Sequence, residues 1–324
     1  MDILFRSILR DELTSFMEVL KLSITLPQSY QAYQRALSDF DSFLHIEGLS
    51  VKKLDAEQIM RWLDGFNVHP STKGKKLSFV RRFARYLSTI GIEATLPEMP
   101  IISSDFTPYV FTVDEMTRIF EIADDLILTS PNSRKAAEFP VLLRMLYGCG
   151  FRLGEAISLT WNDINLSSGV ITVKEAKNQK QRLVPISDEL SRILKLYRAS
   201  PHFKVKDCDL LFKTNDGLPR STRAYWGLFD SILCELGIKN PQTAKYRSRG
   251  PCIHSLRHTF TLHSLMKADA AGREFMEIMP FLSTYLGHSR LMETDKYLQA
   301  RHELYTDAHI VIEDYTRGVF PEDV

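Results

Sequence analysis

From Asp11 to about Ser88 the apolar residues recur at helical spacing, in Leu13, Phe16, Met17 and Leu20 and again in Tyr33, Leu37, Phe40, Phe43 and Leu44. No run in this stretch alternates apolar and polar positions as a strand would, so it predicts several packed helices. A helix around Leu77 to Leu87 sets Phe79, Phe83 and Tyr86 on an apolar stripe, while Lys73, Lys75, Lys76, Arg81, Arg82 and Arg85 crowd the same segment. One face of such a helix can join a core while the other meets phosphate. The same pattern also describes a basic helix facing only water.

Beyond it, Pro97-Glu98-Met99-Pro100 and the polar run ending at Pro108 cannot be helical and read as a linker, with a boundary near residue 105. This divides the chain into a helical domain over 1–104, with its linker near 97–108, and a second domain over 105–324. Thr112 followed by Glu115 has the capping-box spacing, so the second domain opens with a helix running toward Ala123. Val170 to Lys174 and Gln181 to Ile186 are β-like runs separated by the polar turn Ala176 to Lys180, predicting a hairpin with lysines at its tip. Helical patterns cover 138–147, 152–161, 187–197, 222–236, 254–266 and 291–305. The expected fold is mainly α: a helical N-terminal domain and an α+β C-terminal domain with a small antiparallel sheet. No internal repeat and no low-complexity segment interrupts it.

A length of 324 residues exceeds the usual size of one domain and suits two, each with its own core. The hydrophobic share of 44% and the charged share of 25% are those of an ordinary soluble chain. The N-terminus lacks a signal-peptide layout, and no apolar stretch approaches the ~18 residues that span a bilayer, so a cytoplasmic protein with no membrane partner is expected. Cys149, Cys208, Cys234 and Cys252 are scattered without a C-x-x-C pair, which suggests neither a disulfide framework nor a zinc site. The net charge of +1 does not mark a nucleic-acid binder. Local clusters of lysine and arginine matter more than that sum, because phosphate responds to the field at one face.

Two features carry chemistry. Arg152 follows the turn Gly148-Cys149-Gly150-Phe151 at the start of a helix, a place from which a guanidinium can be presented to an anion. A surface arginine would look the same. His254 and Arg257 fall at i and i+3, so two donors share one helical face and suit a phosphate oxygen. His258 makes an i, i+4 pair with His254, but the second position is Ser255 where a zinc protease has an acid, and no third ligand is evident, so no metal is expected and His258 is read as packing or hydrogen bonding.

The words Gly150-Phe151-Arg152-Leu153-Gly154-Glu155, His254-Ser255-Leu256-Arg257-His258-Thr259-Phe260, Leu286-Gly287-His288 and Thr294-Asp295-Lys296-Tyr297 occur in this order. Together they resemble the tyrosine recombinase (phage integrase) family over roughly Phe111 to Leu298. Lys177, with Lys180-Gln181-Arg182-Leu183-Val184-Pro185 after it, resembles the family's hairpin, in which the first lysine is catalytic. The segment from Leu13 to Leu87 is more loosely similar to the family's helical core-binding domain. The resemblance implies that Arg152, Lys177, His254, Arg257 and His288 surround a scissile phosphate that Tyr297 attacks, with Glu155 in support.

The physical chemistry agrees. A phosphodiester under attack gains negative charge on its non-bridging oxygens, which preorganised guanidinium and imidazole donors stabilise more than the ground state. Tyrosine is a poor nucleophile near its usual pKa of about 10 and needs help to lose its proton. Lys177 can give a proton to the departing 5′ oxygen. With arginines supplying the charge no metal or other cofactor is required, and a phosphotyrosine conserves the ester energy, so resealing needs no ATP.

The reading is therefore a site-specific recombinase acting on a double-stranded DNA recombination site. The Lys73-to-Arg85 helix would meet the duplex from one side, and Lys245, Arg247 and Arg249 with the catalytic pocket from the other. Leu282 to His288 looks like the branch carried by transposons and other mobile elements, while a chromosome-dimer-resolving recombinase stands as the alternative. A type IB topoisomerase shares the tyrosine-and-arginine strategy, and a non-catalytic DNA-binding relative would keep the fold. The apolar run from Leu304 to Tyr315 needs cover. The resemblance implies exchange of that tail between neighbours in a homotetrameric synaptic complex, and the alternative is a tail folded back on its own domain.

Overall fold

The computed structural model describes residues 4–24, 27–99, 108–130, 133–174, 181–200, 209–241 and 250–287. The chain divides into two compact units, Met1–Asp105 and Phe106–Val324.

The first unit contains α1 (Arg10–Ser23), α2 (Pro27–Ile46), α3 (Ala56–Asp64) and α4 (Pro70–Thr89). Its core gathers Leu13, Phe16 and Leu20 of α1, Leu37, Phe40 and Leu44 of α2, Trp62 of α3, and Leu77, Val80, Phe83 and Leu87 of α4. Helix α3 is started locally: Asp55 Oδ1 accepts from the Gln58 amide at 2.9 Å and Gln58 Oε1 accepts from the Asp55 amide at 3.0 Å. The buried face of α4 is Gly74, Leu77, Val80, Phe83, Ala84 and Leu87. Phe79 and Tyr86, expected on that stripe with Phe83, sit half-buried at its flanks, because the true stripe lies one step round the helix.

The second unit opens with α5 (Val113–Thr129), whose Thr112 and Glu115 form the expected capping box with bonds of 3.2 and 2.8 Å. Then come α6 (Arg134–Cys149), α7 (Leu153–Ser158), a 3-10 turn at Trp161–Asp163, and strands β1 (Ile164–Asn165), β2 (Val170–Lys174) and β3 (Gln181–Pro185). They form one antiparallel sheet in the order β1-β2-β3, with Ile171 opposite Val184 and Val173 opposite Arg182. Helices α8 (Asp188–Arg198), α9 (Thr222–Glu235), α10 (Ser255–Ala270) and α11 (Phe275–Leu286) complete it. Ile171, Val173 and Val184 join Phe139, Leu142, Leu146, Tyr225, Phe229 and Leu256 in the core.

The mainly helical fold with one small antiparallel sheet is as expected, with three differences in detail. The helix expected over 152–161 is only Leu153–Ser158. Leu159 and Thr160 turn extended because they bond to a remote segment, Leu211 N–H to the Leu159 carbonyl at 2.8 Å and Trp161 N–H to the Asp209 carbonyl at 3.1 Å. Helix α11 was not anticipated, since Pro280 lies inside it and its composition is strongly apolar. The two-residue β1 is too short to have shown in any pattern. The helix expected over 291–305 lies outside the described residues. Among the described residues no helix is long and apolar enough to cross a membrane.

Candidate active site

The site is built at the junction of α6 and α7. Helix α6 ends at Gly150, which adopts a left-handed φ of 61°. A Cβ there would collide with the Phe260 ring and would lie 2.8 Å from Leu286 Cδ2, so both the backbone and the space demand glycine. Phe151 then plugs the core at 1% exposure and forces the next side chain outward. That side chain is Arg152, at the N-cap of α7 with extended backbone. The expectation that a helix start would add its amides to an anion site is weakened here. With six residues, α7 has little dipole, and the charge of the site must come from side chains.

Glu155 is the hub. Its carboxylate accepts the Arg152 amide at 2.9 Å, Arg152 Nη1 at 2.7 Å, and Arg182 Nη2 and Nη1 at 2.7 and 3.3 Å. Arg257 Nη1 stands 4.0 Å away. Burial alone would push the Glu155 carboxyl up, but the bonds from Arg182 and Arg152 outweigh it and hold it below the usual carboxylate range. It is therefore an anion that organises three guanidinium groups.

The same three arginines close the end of α11. The last carbonyls of a helix have no partner within it. Here Tyr285 O accepts Arg182 Nε at 3.0 Å, Leu286 O accepts Arg257 Nη2 at 2.8 Å, and Gly287 O faces Arg152 Nη2 at 3.4 Å. Arg257 also donates to the Gly150 carbonyl at 2.7 Å. Four segments distant in sequence are thereby fixed to one another: the α6–α7 junction, β3, the start of α10 and the end of α11.

The members differ in exposure. The Arg257 side chain is 3% exposed and that of Arg182 10%, whereas Arg152 keeps 40% of its side chain in solvent. His254, at the N-cap of α10, is exposed, and its ring lies 4.8 Å from that of His258 in an edge-on contact. Crowding by protein, then the charges of Arg257 and Arg152, hold the His254 imidazole below the ordinary histidine range, with Glu155 opposing. That direction favours the neutral form, which can donate from one ring nitrogen and accept at the other. The ensemble offers one solvent-facing guanidinium, a neutral imidazole and buried positive charge behind them, which suits an oxyanion with developing charge.

Of the residues singled out in the sequence, Arg152, Glu155, His254 and Arg257 are brought together, and His258 packs beside His254. Lys177, His288, Tyr297, Lys245, Arg247 and Arg249 lie outside the described residues. Sequence reasoning passed over Arg182 as a member of the cluster. Strand alternation held the signal: Val184 is buried, and Arg182 two positions earlier must share its face.

In the first unit the six basic residues of α4 separate into two sets. Lys76 turns inward to Asp39 at 2.9 Å and lies 4.0 Å over the Phe66 ring, and Lys73 is 3.9 Å from Asp64. Lys75, Arg82 and Arg85 are exposed and Arg81 is half-buried. Arg82 donates to Tyr33 Oη at 3.2 Å and lies over the same ring. Spacing places Lys75, Arg82 and Arg85 on the face opposite the core.

Comparison with known proteins bears on this geometry. The profile of the phage integrase family matches residues 109–303. A putative integrase/recombinase, y4rB, of Sinorhizobium fredii is 26% identical over 283 residues, covering 85% of this chain and 88% of the relative. Tyrosine recombinase XerC of Pelobacter propionicus is 27% identical over 295 residues, covering 87% and 89%. Among solved structures, the XerH site-specific recombinase in its post-cleavage complex with a palindromic difH substrate aligns with a TM-score of 0.66 at 18% identity, covering 88% of this chain and 80% of that one.

Proposed function

This chain belongs to the phage integrase family and is a tyrosine recombinase, an enzyme that cleaves and rejoins DNA at specific sites, and from that premise we propose the residues and steps by which it does so. Tyr297 Oη bonds to the scissile phosphorus while the P–O5′ bond breaks, leaving a 3′-phosphotyrosyl enzyme and a free 5′-hydroxyl. The phenolic proton passes to the neutral imidazole of His254, and Lys177 protonates the departing O5′. Arg152 holds the non-bridging oxygens with His288, and Arg257 adds charge from behind. Arginine suits this because its planar fork is always charged. Reversal with a different 5′-hydroxyl joins a new partner, and no cofactor enters.

The observation that carries the reading is the gathering of three arginines on Glu155, with Arg152 left open to solvent beside His254. The partner is a double-stranded DNA recombination site. Lys75, Arg82 and Arg85 of α4 track the backbone within a core-binding domain over 1–104, the unit over 105–324 is catalytic, and Lys245, Arg247 and Arg249 add contacts there. Lys73 and Lys76, spent on acidic neighbours, contribute field without direct contact. The working assembly is a homotetramer on two paired sites, in the cytoplasm on the nucleoid. Its role is integration, excision or transposition of a mobile element. The XerC relative, similar over most of both chains, keeps chromosome-dimer resolution as the second reading.

A nicked duplex carrying the DNA that flanks the gene tests the chemistry. Wild-type protein should form an SDS-stable adduct mapped to Tyr297, and Tyr297→Phe should bind the same DNA without any adduct. An adduct from that variant would place the nucleophile elsewhere.

A further inference from the structure

Arg182 stands apart from the other arginines of the site. It pairs across the sheet with Val173 and shares the core face with Val184. Its guanidinium bonds to both oxygens of Glu155 and to the Tyr285 carbonyl, and its side chain is 10% exposed. A group so enclosed is badly placed to reach a phosphate, whereas Arg152, on the same carboxylate, is open. Enclosing a second charge beside Arg152 is costly, and the bonds to Glu155 and the Tyr285 carbonyl offset that cost while tying distant segments together. What Arg182 holds is the base of the β2–β3 hairpin. Tyr285 Oη, donating to the Pro185 carbonyl at 3.3 Å, makes a second tie between the same strand and α11. Lys177 lies five positions before Arg182 in the sequence, between Lys174 and Gln181, which form the last described pair of β2 and β3.

We propose that Arg182 is a positioning residue for proton donation: by clamping β3 to Glu155 and to the end of α11, it fixes the frame from which Lys177 reaches the departing O5′. This rests on the reading of Lys177 as proton donor. In the step concerned, the Tyr297–phosphorus bond forms, the P–O5′ bond breaks and the Lys177 proton passes to O5′. In this proposal Arg182 acts through β3 and the end of α11 and not on the phosphate.

The distinguishing probe is a nicked substrate whose bridging 5′ oxygen is replaced by sulfur. A thiolate leaves without being protonated, so any defect confined to proton donation disappears. First-strand cleavage is measured at saturating protein on oxygen and sulfur substrates, for wild type and for Lys177→Ala, Arg182→Ala and Arg182→Lys. Arg182→Ala should slow the oxygen substrate by roughly 10²-fold, the low end for a lost general acid, with site affinity in gel shift unchanged. Sulfur should restore it as it restores Lys177→Ala. Arg182→Lys should recover only part of the loss, since one ammonium cannot span Glu155 and the Tyr285 carbonyl together.

If Arg182→Ala stays slow on sulfur while Lys177→Ala recovers, Arg182 serves Arg152 or the fold alone and the proposal fails. If Lys177→Ala does not recover, the proton-donor reading itself is wrong, and the positioning role falls with it. Should Arg182→Ala not fold, Arg182→Met combined with Glu155→Gln removes the charged pair together. Its sulfur-to-oxygen rate ratio, set against that of Glu155→Gln alone, should be higher, and equal ratios would overturn the proposal.

Discussion

Two glutamates of the second unit hold arginines in opposite ways. Glu138, in the middle of α6, is fully buried and accepts Arg220 Nε at 2.9 Å, Tyr225 Oη at 3.0 Å and the Lys213 amide at 3.1 Å. Burial drives its carboxyl up in spite of Arg220. Glu155 receives more charge and less burial, and its carboxyl is driven down. The first cluster spends its ionic bonds tying the segment around Lys213 and Arg220 to a helix. The second over-supplies positive charge around one anion and leaves part of it facing water. A sealed ion pair is a weak source of stability and a strong liability when broken. An unsealed excess of charge is a binding site.

The contrast breaks most sharply at the arginines. Arg152→Ala should cut DNA cleavage by roughly 10²–10³-fold, the effect of one lost transition-state donor, while unfolding in urea shifts by less than about 1 kcal/mol because 40% of the side chain stays in solvent, where an ion pair is worth little. Comparable losses of stability and rate would mean that the two clusters do one job.

Arg220→Ala should do the reverse, destabilising the unit by about 3–5 kcal/mol by stranding Glu138, with cleavage per folded molecule unchanged. Arg220→Met together with Glu138→Gln should regain most of that loss. Equilibrium unfolding beside active-site titration reads both quantities.

Acid separates the carboxylates by sign. Glu155, with a lowered pKa, contributes stability above its unfolded value that is lost as pH falls through the folded one. Glu138, with a raised pKa, contributes when protonated and loses that contribution as pH rises. Glu155→Gln should therefore flatten the limb along which stability falls with falling pH, and Glu138→Gln the limb along which it falls with rising pH. His263, which burial lowers to about 4, adds to the first of these slopes. Its depressed value makes stability fall as pH drops from about 6.5 toward 4, by as much as ~3 kcal/mol, and His263→Phe should remove that slope. Thermal melts from about pH 2 to pH 8 check all three.

The smallest effect is expected in the first unit, where charge is neither sealed nor concentrated. Lys75→Ala and Arg85→Ala should each reduce the salt dependence of DNA binding by about one unit of log–log slope, leaving cleavage at saturation untouched. An unchanged slope would remove these residues from the DNA-facing set.

What the sequence disclosed follows range of interaction. The capping box of Thr112 and Glu115, the alternation of β2 and β3, and the i, i+3 spacing of His254 and Arg257 are local and could be read directly. The order of the motif words exposed the family. Hidden were outcomes set by distant partners: the early end of α7, pulled extended by the 209–211 segment, and α11, whose carbonyls are satisfied by arginines from three other places. Arg182 lay between these cases. Its inward face was implied by Val184, but its destination, a glutamate 27 positions away, was not.

Gly150 carries a lesson for any survey of mutational tolerance. It has no functional group, yet a single added carbon there would press on Phe260 and Leu286, and Leu286 bears a carbonyl that Arg257 grips. Substitutions at this glycine should be as poorly tolerated as those at the arginines, and they would register as lost activity before lost fold. Ranking positions by intolerance alone would therefore count a spacer among the reactive groups. What separates them is size dependence: at Gly150 the damage should grow with side-chain volume and ignore charge, whereas at Arg152 it should follow charge and ignore volume.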